Sequence, residues 1–245
     1  GLFVASHGAL INGSKMIWLS KFDPKLVIAK FPEATVFMGV PTLYVRMLAE
    51  PTLTKAQAAH MRLFIAGSAP LLIETFTDWV SRTGHTILER YGMSETGMNA
   101  SNPCEGERVP GSVGLPLPDV ELRIADPATG TPVAAGATGV IEVRGPNVFS
   151  GYWRQPEKTR AELRADGFFV TGDLGHIDER GYLWIVGRAK DLIITGGYNV
   201  YPREIEDVLY QHAAAQEAAV VGEADPEWGQ AVVAYHGDRV LGGGW

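Results

Sequence analysis

Cysteine is nearly absent from this 245-residue sequence. Cys104 stands alone, so neither an internal disulfide nor a thiolate metal cage can be assembled, and a reducing compartment suits the chain. We expect this thiol in a loop, buried or half-buried. Cationic excess is missing too: 21 Lys and Arg face 28 Asp and Glu, a net charge of -7, and no local basic cluster restores the footprint that a phosphate backbone requires. Nucleic acid is therefore not an expected partner. Long apolar runs are also lacking. Residues 34–40 and 213–221 are far too short to cross a bilayer, so no membrane span is expected. The six histidines, His7, His60, His85, His176, His212 and His236, have no Ser or Cys at triad spacing and read as surface or core side chains. The sequence opens without an initiator Met or a signal-peptide pattern and closes abruptly after a strand-like segment, so we expect the interior of something longer. A cytoplasmic setting is expected unless a targeting segment precedes Gly1.

What is present reads as α/β. An apolar fraction of 46% supplies one sizeable core, or one domain and part of another. Residues 35–40 and 62–66 are short runs of β-formers, and residues 42–49 and 71–82 carry helical periodicity between and after them. This rhythm predicts an open α/β sheet, with another strand beginning at Thr86-Ile87-Leu88. From about Pro103 to Gly187 the texture becomes short strands between turn residues, which predicts a small β-barrel or meander. After Asp191 a strand, a Gly pair, a helix opening at Pro202 and two further strands suggest an α+β domain that is incomplete. The expected division is residues 1–189, part of a large domain, and residues 190–245, a hinge followed by the start of a small one.

Four segments carry candidate chemistry. Gly67-Ser68-Ala69-Pro70 follows a strand, where backbone amides and a hydroxyl can meet a ligand. Tyr91-Gly92-Met93-Ser94-Glu95-Thr96 puts an aromatic face, two hydroxyls and a carboxylate on what reads as one tight turn, able to stack a base, bond a phosphate oxygen and hold Mg²⁺. Gly92 would let the backbone pass close to a ligand. Asp173, at the expected end of a strand, can accept two hydrogen bonds from a ribose diol. Arg188-Ala189-Lys190-Asp191 with Gly196-Gly197 supplies a cation, a charged pair and a glycine hinge. Each alone also fits an ordinary turn or solvated loop.

Their order is more specific than any one of them. The succession GSAP, YGMSET, VTGD and GRAKDLIITGGYNVYPREIE resembles the ordered signature of the adenylate-forming superfamily, which includes acyl-CoA synthetases, luciferases and peptide-synthetase adenylation domains. The resemblance runs from Gly1 to about Tyr235. It implies a large domain of α/β sheet plus small β-barrel and a small α+β domain, with ATP, Mg²⁺ and CoA as cofactor and co-substrates. By this resemblance Ser68, Ala69 and Tyr91 bound the adenine pocket, Gly92 and Met93 also bind the nucleotide, and Ser94 at the α-phosphate, Glu95 on Mg²⁺ and Lys190 are the catalytic residues. Asp173 would hold the ribose, Arg188 the ribose and phosphate side, Lys190 the hinge, and Gly196 and Gly197 the pantetheine arm of CoA. Ser94 stands where the family usually has Thr, which keeps the hydroxyl. The family's phosphate-gripping loop and its adenylation lysine would fall before Gly1 and beyond Trp245, so the chain as written is expected to be inactive alone.

Within that superfamily the segments FMGVPTLY, LERYGM and RVPGSVG resemble the malonyl-CoA synthetases. A second carboxylate on the substrate needs a fixed cationic fork, and Arg46 and Arg90 are the expected pair. Structural salt bridges are the plain alternative for both. Methylmalonate differs by one methyl and is not separated from malonate at this level. A stand-alone adenylation domain serving a carrier protein, or an inactive nucleotide-binding remnant, are the rival readings.

Overall fold

The structure, a computed structural model, describes residues 2–127, 129–212 and 215–238. It divides into two units. The first holds the residues up to Val120 together with Gly145–Phe149 and Gly181–Leu183; the second holds Glu121–Arg144, Ser150–Arg180 and the residues from Trp184 onward.

In the first unit a helical turn, Leu2–His7, leads into α1 (Gly8–Ile11) and then α2 (Pro24–Lys30), where Asp23 accepts the Leu26 amide at 3.1 Å. Next come β1 (Val36–Gly39), α3 (Pro41–Leu48), α4 (Lys55–Ala58), β2 (Leu63–Ala66), α5 (Ile73–Thr83) and β3 (Ile87–Met93). The strands β1, β2 and β3 are parallel neighbours, and β4 (Gly97–Ser101) and β5 (Leu115–Pro116) extend the sheet antiparallel, giving the order β1-β2-β3-β4-β5. The expected α/β sheet is thus present. Pro41, with its preset φ and missing N–H, opens α3, whose Tyr44 and Met47 are buried one turn apart. In α5 the apolar spacing Phe76 and Trp79 faces the core, and Gly84 at φ 78° ends the helix as a left-handed cap. Trp79 packs edge-on against both Tyr44 and Phe64 with centroids 4.9 Å apart.

The second unit begins with β6 (Glu121–Ala125) and β7 (Gly139–Arg144), followed by α6 (Pro156–Glu162), β8 (Phe169–Ile177) and β9 (Leu183–Arg188). These strands form a sheet in the order β6-β7-β8-β9. The sheet is the meander of the two forms expected, not a closed barrel, because among the described residues β6 and β9 remain edge strands that do not pair with each other. Asp173 lies inside β8, not at a strand end, and the reason is a bulge. Val140 pairs with Leu174 and Glu142 with Val170, so Ile141 faces the three residues Thr171, Gly172 and Asp173. Beyond β9 lie the hairpin β10 (Ile193–Thr195) and β11 (Tyr198–Val200), then α7 (Pro202–Tyr210), then the hairpin β12 (Ala215–Asp225) and β13 (Gly229–Asp238). The two further strands expected after the Pro202 helix are β12 and β13, which pair with each other antiparallel. Cys104 is exposed, not half-buried. Among the described residues no helix is long and apolar enough to cross a membrane.

Candidate functional site

The parallel register of β1, β2 and β3 decides what stands together in the first unit. Gly39 pairs with Ala66 and Ala66 with Glu89, so β1 and β2 end level with Glu89, beyond which β3 runs on as Arg90–Met93 paired with β4. Carboxyl ends of parallel strands are where open α/β sheets present ligand groups. Ser68 and Ala69 are exposed on the turn after β2, and Ser68 holds φ 68°, a left-handed backbone uncommon for a residue with a side chain. Gly67 lies against Arg90: a Cβ there would stand 3.1 Å from the Arg90 carbonyl oxygen and 3.3 Å from its Cγ.

The segment expected as one tight turn divides between strand and turn. Tyr91, Gly92 and Met93 belong to β3, and only Ser94-Glu95-Thr96 forms the loop, closed by Gly97 at φ 61° across the pair Met93 and Gly97. A three-residue hairpin ending in a left-handed glycine is a common connection. Tyr91 is buried, opposite Ala100, while Ser94 is exposed and Glu95 half-buried. Gly92 has a reason independent of any ligand, since a Cβ on it would collide with the Gly97 carbonyl across the hairpin. Among the described residues no group of three His, Cys, Asp or Glu side chains could cage a metal. The single carboxylate of Glu95 nevertheless fits Mg²⁺, which takes one or two protein carboxylates and fills its remaining positions from phosphates and water.

The two arginines expected as a fork have different surroundings. Arg46 lies on the exposed side of α3, opposite the buried Tyr44 and Met47, with its guanidinium 4.8 Å above the Phe22 ring. Arg90 is half-buried in β3, and its guanidinium donors meet only thioethers, Met38 Sδ at 2.7 Å and Met98 Sδ at 3.7 Å. Burial pushes its pKa down, opposed by the nearby Tyr44 hydroxyl. That phenol is itself pushed well up by burial while donating to the Ile65 carbonyl at 2.7 Å, so it stays neutral. No carboxylate of the described residues pairs with Arg90. A guanidinium has five donors and usually finds an anion when removed from water, so Arg90 is equipped for one.

In the second unit the Thr171 hydroxyl donates to the Ile141 carbonyl at 2.8 Å and accepts the Asp173 amide at 3.1 Å, locking the bulge that orients Asp173. Asp173 is mostly buried and stands 3.2 Å from Arg188 Nε, whose side chain is largely exposed. Lys190 is exposed in the short 3₁₀ turn Ala189–Asp191. Gly196 and Gly197 form the two-residue β10–β11 turn with φ 56° and 84°, the signs a type I′ hairpin demands, so this Gly pair is a defined tight turn. Two neighbours escaped sequence reading. Trp228 accepts the Gly196 amide through its carbonyl at 2.9 Å, and its ring would lie 2.7 Å from a Cβ on Gly196. Asn147, remote in sequence, reaches the Ser94-Glu95-Thr96 loop. No local pattern announces either contact.

The AMP-binding enzyme family matches residues 1–153, and the AMP-binding enzyme C-terminal domain matches residues 204–236. The chain belongs to the AMP-binding enzyme family. It is 40% identical over 238 residues to the long-chain-fatty-acid–CoA ligase of Bacillus subtilis (strain 168), covering 96% of this chain and 42% of that protein. It is also 40% identical over 257 residues to the mitochondrial malonate–CoA ligase of Mus musculus, covering 91% of this chain and 44% of that one. Among solved structures, ATP-bound MatB from Rhodopseudomonas palustris superposes with a TM-score of 0.93 at 57% identity, over 96% of this chain and 46% of that one. The chain thus spans less than half the length of these relatives.

Proposed function

We propose that the full-length protein is an ATP-dependent acyl-CoA synthetase that activates malonate. One malonate carboxylate oxygen attacks the α-phosphorus of ATP and pyrophosphate leaves; the CoA thiolate then attacks the acyl carbonyl and AMP leaves. The observation that carries the substrate is Arg90, a half-buried guanidinium supported by thioethers and lacking a carboxylate partner among the described residues. In this reading it binds the second, unreacting carboxylate, which an ordinary fatty acid does not possess. A malonate–CoA ligase among the relatives supports the reading; a fatty-acid ligase matches at the same 40% identity, and Arg90 is the side chain that favours malonate in this proposal.

The roles we assign follow the family resemblance. Ser68, Ala69 and Tyr91 bound the adenine, Gly92 and Met93 also bind the nucleotide, Ser94 meets the α-phosphate, and Glu95 would hold Mg²⁺, which supplies charge neutralisation at the phosphates. Asp173 orients the ribose hydroxyls with Arg188 beside it, Lys190 serves as the hinge between large and small domains, and Gly196 and Gly197 approach the pantetheine of CoA. Methylmalonate remains an acceptable substrate in the proposal. The proposed setting is cytoplasmic, checked by imaging the tagged full-length protein.

The deciding experiment measures pyrophosphate release and thioester formation by the full-length enzyme with malonate, butyrate and palmitate. Preference for malonate is expected; preference for palmitate would replace the reading by a fatty-acid ligase. Supplying CoA and a phosphopantetheinylated carrier in parallel distinguishes the carrier-loading alternative. The ribose role has its own test. Asp173→Ala should raise the KM for ATP by roughly ten- to a hundredfold, the loss of a charge-assisted hydrogen bond of about 1.5–3 kcal/mol, and leave the KM for malonate in place. An unchanged ATP KM would reduce Asp173 to the partner of Arg188.

A further inference from the structure

The Ser94-Glu95-Thr96 loop is short, partly exposed and carries the two side chains assigned to phosphate and Mg²⁺, and contacts from beyond its own hairpin help to hold it. The hairpin amide of Thr96 reaches the Met93 carbonyl at 3.3 Å, and the pair β3–β4 changes register between Tyr91 and Gly92. Support arrives from Gly145–Phe149, a segment about fifty residues later in the chain that folds with the first unit. Asn147 Nδ2 donates to the Thr96 carbonyl at 2.7 Å, to the Met98 carbonyl at 3.2 Å and to Asn99 Oδ1 at 3.2 Å. Two residues on, the Phe149 amide donates to the Glu95 carbonyl at 2.8 Å. Both backbone carbonyls can only accept, which fixes the Asn147 amide with its NH₂ toward the loop. Thr96 and Asn99 are fully buried, so their main-chain and amide oxygens have no easy exchange with water. Gly145 makes the approach possible, since a Cβ there would lie 2.6 Å from Asn147 Oδ1 and 2.7 Å from the Asp119 carbonyl oxygen.

We propose that Asn147 is a positioning residue which, with the Phe149 amide, fixes the Ser94-Glu95-Thr96 loop before nucleotide arrives, so that the Ser94 hydroxyl and Glu95 carboxylate meet phosphate and Mg²⁺ without reorganisation. The inference rests on the reading of that loop given above. Asn147 touches no substrate in this account; it acts through three carbonyl-type oxygens that share the two hydrogens of its NH₂ group. Phe149 reinforces it at the residue that matters most, because its bond is to the main chain of Glu95 itself.

The test uses the full-length enzyme and two readouts. In nucleotide-free Asn147→Ala, amide exchange across residues 94–98 should speed up about five- to tenfold, the equivalent of one lost hydrogen bond, while β1 and β2 keep their protection. In the same variant the kcat of adenylation should fall about tenfold and the Mg²⁺ concentration for half-maximal rate should rise severalfold, with the KM for malonate within about twofold. Asn147→His, which can present a ring N–H in the same direction, should recover part of both effects. If Asn147→Ala does not fold, Asn147→Ser, whose hydroxyl falls short of the loop, is read by the same measurements. Unchanged exchange at residues 94–98 would overturn the proposal, as would faster exchange throughout the sheet together with a raised malonate KM. Glu95→Gln in parallel separates the two ideas. If it leaves Mg²⁺ dependence intact, the reading of the loop falls and the proposal with it; if it abolishes adenylation while Asn147→Ala is neutral, only the positioning role is lost.

Discussion

Arg90→Ala in the full-length enzyme should lower kcat/KM for malonate by on the order of 10²- to 10³-fold and leave the KM for ATP within about twofold. Removing one member of a buried charge pair costs about 3–5 kcal/mol, because the remaining ion stays uncompensated, and Arg90 is half-buried, which places the effect toward the lower end. Butyrate should not suffer in parallel. It has no second carboxylate, so for butyrate the variant removes a desolvated cation that was never paired, and the malonate-to-butyrate ratio should fall at least about tenfold, or 1.4 kcal/mol. Arg46→Ala is the internal control: its guanidinium lies over the Phe22 ring on an exposed helix face, and its loss should leave that ratio untouched. Arg90→Lys should rescue little, since an ammonium cannot form the bidentate fork and is more strongly hydrated. A ratio unchanged in Arg90→Ala would return the acyl specificity to undetermined.

Glu142→Gln should lower the midpoint of thermal unfolding by roughly 4–16 °C, corresponding to about 2–4 kcal/mol in a chain of this size. The Glu142 carboxylate is fully buried in β7 and bonds to two arginines, Arg123 Nε at 2.6 Å and Arg164 through Nε at 2.8 Å and a terminal nitrogen at 2.7 Å. Arg123 also meets Asp166 at 2.6 Å, and the Phe168 ring lies 3.9 Å from the Arg123 guanidinium and 4.5 Å from that of Arg144. Glutamine keeps the shape but leaves two cations sharing one neutral amide. Both guanidinium groups retain access to water, which is why the expected loss stops short of the cost for a fully enclosed pair. The exposed pair Arg160 and Glu157 on α6 provides the contrast: Glu157→Gln should shift stability by no more than about 0.5 kcal/mol. Equal effects at the two sites, read by differential scanning calorimetry, would show that burial at Glu142 contributes nothing special.

Much of the fold was legible because it is locally encoded. The two short β-former runs and the helical periodicity after each carry their meaning in a few neighbouring residues, and α3, α5, β1 and β2 lie within two residues of the expected bounds. Glycine freedom alone makes Gly196-Gly197 a candidate hinge; the pairing of Thr195 with Tyr198 makes it a tight turn. Tyr91-Gly92-Met93 looked like loop because a glycine among polar residues weakens any strand pattern. Its strand character comes from β4, a partner that sequence periodicity does not display.

The sequence by itself determined the family signature, the order of the motifs and the types of side chain available for nucleotide, metal and acyl group, because these depend on residue identity and spacing along one chain. Tertiary structure alone decided which of those side chains stand together. Arg46 and Arg90 are equivalent as residue types, yet the helical period turns Arg46 onto the exposed side of α3 while the sheet register sets Arg90 beside Gly67, Met38 and Met98. Asp173 owes its orientation to one strand holding three residues where its partner holds one, and the Ser94-Glu95-Thr96 loop owes its support to an asparagine about fifty positions away. Such contacts form only when separate segments close on each other, and the free energy that selects them is gained from burial and hydrogen bonding across the fold, with no trace in the local pattern of either segment.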